Sequence, residues 1–122
     1  MLVRPPTHAD IADSTLAFLY ARNEARGRFP AGELALAKSA TNAYLYAAQV
    51  LHTRFPAGEP VLAKNARLAY FYAIEIIKAR FIAGEPAIMA SPGYSYAYEN
   101  WLRQHNAADY AELQLEYGDW KP

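Results

Sequence analysis

At 122 residues the chain makes one domain, long enough to bury a core without disulfide or metal staples. Twelve basic residues balance twelve acidic ones, which leaves none of the basic surplus expected of a dedicated duplex-DNA or RNA binder. The absence of cysteine excludes disulfides, thiolate zinc sites and cysteine nucleophiles.

The opening Met1-Leu2-Val3-Arg4-Pro5-Pro6 has no apolar targeting core, and no apolar run approaches a membrane span. The expectation is a soluble cytoplasmic protein with no membrane partner. Residues 1–12, with two consecutive prolines, read as a lead-in that is irregular over 1–10. Asp13 then suits a helix N-cap, its short side-chain oxygen placed to accept from the free N–H groups of the first turn.

From here the chain repeats. Arg28-Phe29-Pro30-Ala31-Gly32-Glu33 returns as Arg54-Phe55-Pro56-Ala57-Gly58-Glu59 and again as Arg80-Phe81-Ile82-Ala83-Gly84-Glu85, at a step of 26 residues. A fixed step of this size signals stacked supersecondary units rather than a fold built around one cleft. On the same step fall the cap residues Asp13, Ser39, Asn65 and Ser91, with Pro92 at the first helical position of the last. Long helices are predicted at about 14–26, 40–53, 66–79 and 92–104.

Each long helix leads into a tight turn and a short helix, because Pro60 and Pro86 suit a first turn and not a helix middle. The short helices carry apolar pairs: Leu34 with Leu36, Val61 with Leu62, and Ile88 with Met89. Residues 106–122 lose the hexapeptide and gain charge, as the polar cap of a repeat array must. The fold class is an all-α helical-repeat solenoid: one domain, with about four units over 13–105 and a C-terminal cap helix.

Helical periodicity centred on Ala47 places Ala43, Tyr44, Val50 and Leu51 on one face. Tyr44, Tyr70 and Tyr96, with Phe18 in the equivalent slot, are therefore the expected core aromatics. Tyr46 and Tyr72 fall on the shoulder, where a ring can pack while its hydroxyl stays wet. The opposite face is polar, with Asn42, Gln49 and His52, yet Leu19, Leu45 and Phe71 stand in its middle at one register. Either short helices or a dimer partner bury this row, or it is an exposed stripe marking a partner site.

No catalytic constellation emerges. His8, His52 and His105 share no register and have no partners at metal-ligand spacing. The Glu112 and Glu116 pair reads as a solvated helix face, and the repeated glycines read as turn residues rather than a phosphate cradle. No serine has a histidine and aspartate context. Arg28, Arg54 and Arg80 stand five residues before Glu33, Glu59 and Glu85, which suits local ion pairing. The expectation is a non-enzyme without cofactor or metal.

The string Ala69-Tyr70-Phe71-Tyr72-Ala73, followed by Ile76-Ile77-Lys78-Ala79-Arg80-Phe81-Ile82-Ala83-Gly84-Glu85-Pro86, resembles short tandem helical repeats of uncharacterised bacteriophage proteins. Those read approximately Ala-Tyr-x-Tyr-Ala, then Val/Ile-Ile/Leu-Lys-Gly-Arg-Phe/Trp-Pro-x-x-Glu-Pro, and the likeness covers about residues 15–104. Departures are Ile82 for proline, Ala79 for glycine, and Glu99-Asn100-Trp101 in the last copy. The resemblance implies a phage or prophage origin and a role in host takeover or counter-defence. The residues themselves suit a protein-binding or self-associating module with Leu19, Leu45, Phe71, Tyr46 and Tyr72 as its contact residues. A binder of a small nucleotide-like ligand is the alternative, since tyrosine rings and arginines can stack a base and clamp a phosphate.

Overall fold

The repeat step is visible in the backbone itself. In the computed structural model, which describes residues 3–118, helix starts recur at one register. The outer ends of the expected lead-in and cap, residues 1–2 and 119–122, lie outside the described residues. Asp13, Ser39 and Asn65 each accept from the N–H three residues on, opening α2 (Ser14–Tyr20), α4 (Ala40–Leu45) and α6 (Ala66–Phe71). Ser91 makes no such side-chain bond, and Pro92, whose φ is preset, begins α8 (Pro92–His105).

In the first three units the long helix continues with looser i→i+5 bonding, over Ala21–Ala25, Tyr46–Leu51 and Tyr72–Ile77. Each such stretch stops at a left-handed residue: Arg26 (φ 53°), His52 (φ 56°) and Lys78 (φ 59°). A residue there cannot continue the helix, so the chain turns out at a fixed point in every unit.

A 3₁₀ turn follows at Pro30–Gly32, Pro56–Gly58 and Ile82–Gly84. It runs straight into the short helices α3 (Glu33–Leu36), α5 (Glu59–Leu62) and α7 (Glu85–Met89). Successive long helices stack on one another, and each short helix packs back on its own unit. All regular structure among the described residues is helical, which makes the protein an all-α helical repeat.

The glycine of each turn is set by packing rather than by φ. A Cβ on Gly58 would lie 2.6 Å from the Phe55 ring and 2.8 Å from the Ala43 Cβ, and Gly32 and Gly84 are equally crowded against Ala17 and Ala69. The repeated alanine of the long helix and the repeated glycine of the turn are one close contact, written 15 residues apart. Beside it, Leu36, Leu62 and Ile88 are fully buried. Each contributes about 1.5–3 kcal/mol by removal from water. Leu34, expected beside Leu36 in that cluster, is instead exposed.

The ends differ from the expectation at the N-terminus. The lead-in is not irregular throughout: α1 (His8–Ala12) is closed by a reciprocal capping box between Thr7 and Asp10. The Arg4 guanidinium binds Asp10 at 2.7 Å and lies 4.9 Å from the Tyr20 ring centroid, while the Tyr20 hydroxyl donates to the Arg4 carbonyl. The lead-in thus supplies the first tyrosine with the partners that a preceding hexapeptide supplies to the others. At the other end α9 (Ala107–Tyr117) caps the array, its start held by Asn106 accepting from the Asp109 N–H.

Candidate interaction surface

The buried tyrosines are the row placed on the shoulder, and this corrects the sequence reading. Tyr46, Tyr72 and Tyr98 are fully buried, whereas Tyr44 and Tyr70 are half-buried and Tyr96 is 73% exposed. Phe18 is buried as expected. The core face runs through Ala43, Tyr46 and Ala47, turned roughly 50° from the centre that apolar periodicity suggests. Tyr46 and Tyr72 therefore have no surface to offer a partner.

Polar chemistry explains the choice of row. The Tyr46 hydroxyl donates to Glu33 Oε2 at 2.6 Å and accepts the Phe29 N–H at 2.8 Å. Tyr72 does the same with Glu59 at 2.6 Å and the Phe55 N–H at 2.8 Å. Tyr98 repeats the pattern with Glu85 at 2.6 Å and the Phe81 N–H at 3.0 Å. Each phenylalanine ring meanwhile packs on the tyrosine of the unit before, with centroids 4.6, 5.0 and 5.2 Å apart. Every hexapeptide is thus stapled to two successive long helices. Satisfying an otherwise orphaned loop N–H in the core is what makes the tyrosine hydroxyl worth burying.

The arginine of the hexapeptide completes the staple. Its guanidinium is forked onto the glutamate: Arg28 to Glu33 at 2.9 and 3.2 Å, Arg54 to Glu59 at 2.8 and 2.8 Å, Arg80 to Glu85 at 2.8 and 2.5 Å. Burial opposes ionisation of Glu59, but the bonds from Arg54 and Tyr72 outweigh it and hold the carboxyl below its ordinary range. Burial, then the adjacent carboxylate, pushes the Tyr46, Tyr72 and Tyr98 hydroxyls well above the tyrosine range. These are structural tyrosines, held neutral.

The three copies differ in cover. The side chains of Arg28 and Arg54 are 67% and 51% exposed, while Arg80 is 4% exposed because α9 lies over it. Asp109 accepts the Arg80 backbone N–H at 2.8 Å, and Glu116 and Glu112 approach its guanidinium at 3.0 and 3.6 Å. The carboxylate pair expected to be merely solvated is a clamp on the last arginine.

The in-register apolar row is neither free nor sealed. Leu19 and Leu45 are half-buried against the core, and Phe71 is half-buried with its ring 5.2 Å from Tyr70. Tyr70 in turn lies 5.6 Å from Tyr94, so Tyr70, Phe71 and Tyr94 form a partly exposed aromatic ledge. Tyr44, one unit earlier, donates to Glu75, and burial followed by that carboxylate pushes its hydroxyl up to about 12.

Other polar groups gather in a shallow cleft between α8 and α9, lined by Tyr96, Glu99, Asn100, Arg103 and Tyr110. Its volume is about 230 Å³ including open solvent. That falls short of the roughly 300–1,000 Å³ of ordinary ligand sites. Among the described residues, no three histidine, aspartate or glutamate side chains are grouped to hold a metal ion. His105 stacks on Trp101 with centroids 4.7 Å apart, its Nδ1 lying 3.0 Å from the Trp101 carbonyl. No described helix is long and apolar enough to cross a membrane. Comparison with protein-family models, curated proteins and solved structures gives no match.

Proposed function

We propose that the protein is a non-enzymatic binding module that engages a protein partner through the outer face of its stacked long helices. The observation that supports this most is the Tyr70–Phe71–Tyr94 ledge, continued at the repeat spacing by Leu45 and Leu19. Partly exposed aromatic groups on a rigid scaffold are the side chains that dominate interface energetics when a partner covers them. The phage likeness of the repeat suggests a host factor or a component of host defence as that partner, met in the host cytoplasm.

A Phe71→Glu variant tests the reading by affinity capture from a bacterial host lysate beside a circular-dichroism melt. An unchanged melt with loss of the captured protein supports the proposal. Equal capture by both proteins overturns the ledge as the contact.

The alternative is binding of a small nucleotide-like ligand, favoured by the convergence of Tyr96, Tyr110 and Arg103 on the cleft between α8 and α9. Titration with mononucleotides, read by tyrosine fluorescence, separates it from the first reading.

A further inference from the structure

The zero net charge hides a division. Residues 1–80 hold ten basic and six acidic side chains, net +4, and residues 81–122 hold two basic and six acidic, net −4. The repeat projects this division onto one edge. The loops 26–28, 52–54 and 78–80 occupy the same register, so they form successive rungs along one side of the stack.

At the first two rungs the cations point outward and the anions inward. Arg28 and Arg54 are 67% and 51% exposed, while their carboxylate partners Glu33 and Glu59 are 14% and 15% exposed. Arg26 adds an exposed cation at the first rung. The third rung is inverted. Arg80 is already neutralised by Glu85, yet α9 brings up Asp109, Glu112 and Glu116 as well. Glu112 and Glu116 keep 66% and 54% of their side-chain surface in solvent. One edge therefore reads positive, positive, negative along the array.

Such an edge complements its own antiparallel copy. We propose that it is a self-association surface on which two copies of the chain pair about a two-fold axis, the Glu112/Glu116 cap of each facing Arg26, Arg28 and Arg54 of the other. A two-fold pairing makes both contacts at once and closes, so it yields a dimer rather than a fibre. Stacking end to end is the other way repeats grow, and here α1 and α9 occupy the two ends. The inference rests on the protein-binding reading and names a partner for it, but it uses the loop edge instead of the Phe71 ledge.

Sedimentation velocity of the full chain tests it. The wild type is expected to be dimeric at about 100 μM in low salt and to dissociate toward 1 M salt, where the screening length falls to about 3 Å. Glu112→Lys leaves Glu85 and Glu116 on Arg80, and Arg26→Glu alters a side chain outside the arginine–glutamate forks. Each variant alone should dimerise about tenfold more weakly or worse, and an equimolar mixture of the two should recover the wild-type constant, because every reversed contact then meets its complement. A wild-type monomer at all concentrations and salts overturns the proposal, as does a dimer indifferent to salt and to both reversals. Either result leaves Phe71-dependent capture of another protein intact, so the two readings fail separately.

Discussion

Replacing Tyr72 by phenylalanine removes one oxygen atom from the centre of the second staple and leaves the ring in place. Two bonds go: the acceptor for the Phe55 N–H at 2.8 Å and the donor to Glu59 at 2.6 Å. The Phe55 N–H belongs to a loop residue that is 2% exposed, so water does not readily replace the hydroxyl. An orphaned buried donor costs about 1–3 kcal/mol, and a lost bond to a charged acceptor adds about 1.5–3 kcal/mol. Glu59 keeps both Arg54 contacts and some solvent access, which softens the second loss. The expected destabilisation is about 2–4 kcal/mol. Denaturant unfolding followed by far-ultraviolet circular dichroism measures it, with Tyr70→Phe as the control. Tyr70 sits two residues away, is half-buried and should shift by less than about 0.5 kcal/mol. Equal stabilities for the two variants would refute the staple as the reason why this tyrosine row is buried.

Gly58→Ala should destabilise by about 1–3 kcal/mol through overpacking against the Phe55 ring and Ala43, and Ala43→Gly in the same chain should recover part of it, as paired melts would show. Ile82→Pro should stabilise by about 0.4–1 kcal/mol in the same assay, because Phe29 and Phe55 adopt before proline nearly the backbone that Phe81 adopts before Ile82. Alkaline pH should unfold the protein. Unfolded tyrosines ionise above about pH 10 while Tyr46, Tyr72 and Tyr98 stay protonated in the fold, so their contribution is complete below pH 10 and declines above it. The slope is about 1.4 kcal/mol per pH unit for each tyrosine, and a denaturation series from pH 9 upward should become shallower in Tyr72→Phe. At the acid end, bonds from Arg4 and Thr7 lower Asp10 to about 2, so the N-terminal cap should keep its contribution above the ordinary aspartate pKa and lose it as pH falls through about 2. The Tyr20 environment, read by fluorescence, would show that loss.

The parts of the fold legible in sequence were those that a single residue type dictates locally. Asp13, Ser39 and Asn65 could be read as caps because a short oxygen before an apolar run has few other uses at a helix start. The turn after each long helix was equally plain from Pro30 and Pro56. The choice between the Tyr44 and Tyr46 rows was not, because both have the same apolar content and lie about 160° apart. What decides it is a hydroxyl meeting a glutamate 13 residues and an N–H 17 residues upstream, a contact that helical periodicity does not weigh. A sequence signal existed: each buried downstream tyrosine follows a complete hexapeptide at constant spacing, and Tyr20, which has none, finds Arg4 instead. The candidate surface was half legible for the same reason. The Leu19, Leu45 and Phe71 register was visible, but the clamp of α9 on Arg80 joins residues about 30 apart outside the repeat.

Amide hydrogen exchange tests the staple most directly. The N–H groups of Phe29, Phe55 and Phe81 lie in loops where no helical carbonyl accepts from them, and each is held by a buried tyrosine hydroxyl. The account predicts that these three amides exchange as slowly as those in the core of α4 and α6, while the Thr53 and Ala57 amides beside Phe55 exchange fast. It further predicts that protection at Phe55 alone collapses in Tyr72→Phe. Exchange of the three phenylalanine amides at the rate of their loop neighbours would contradict it.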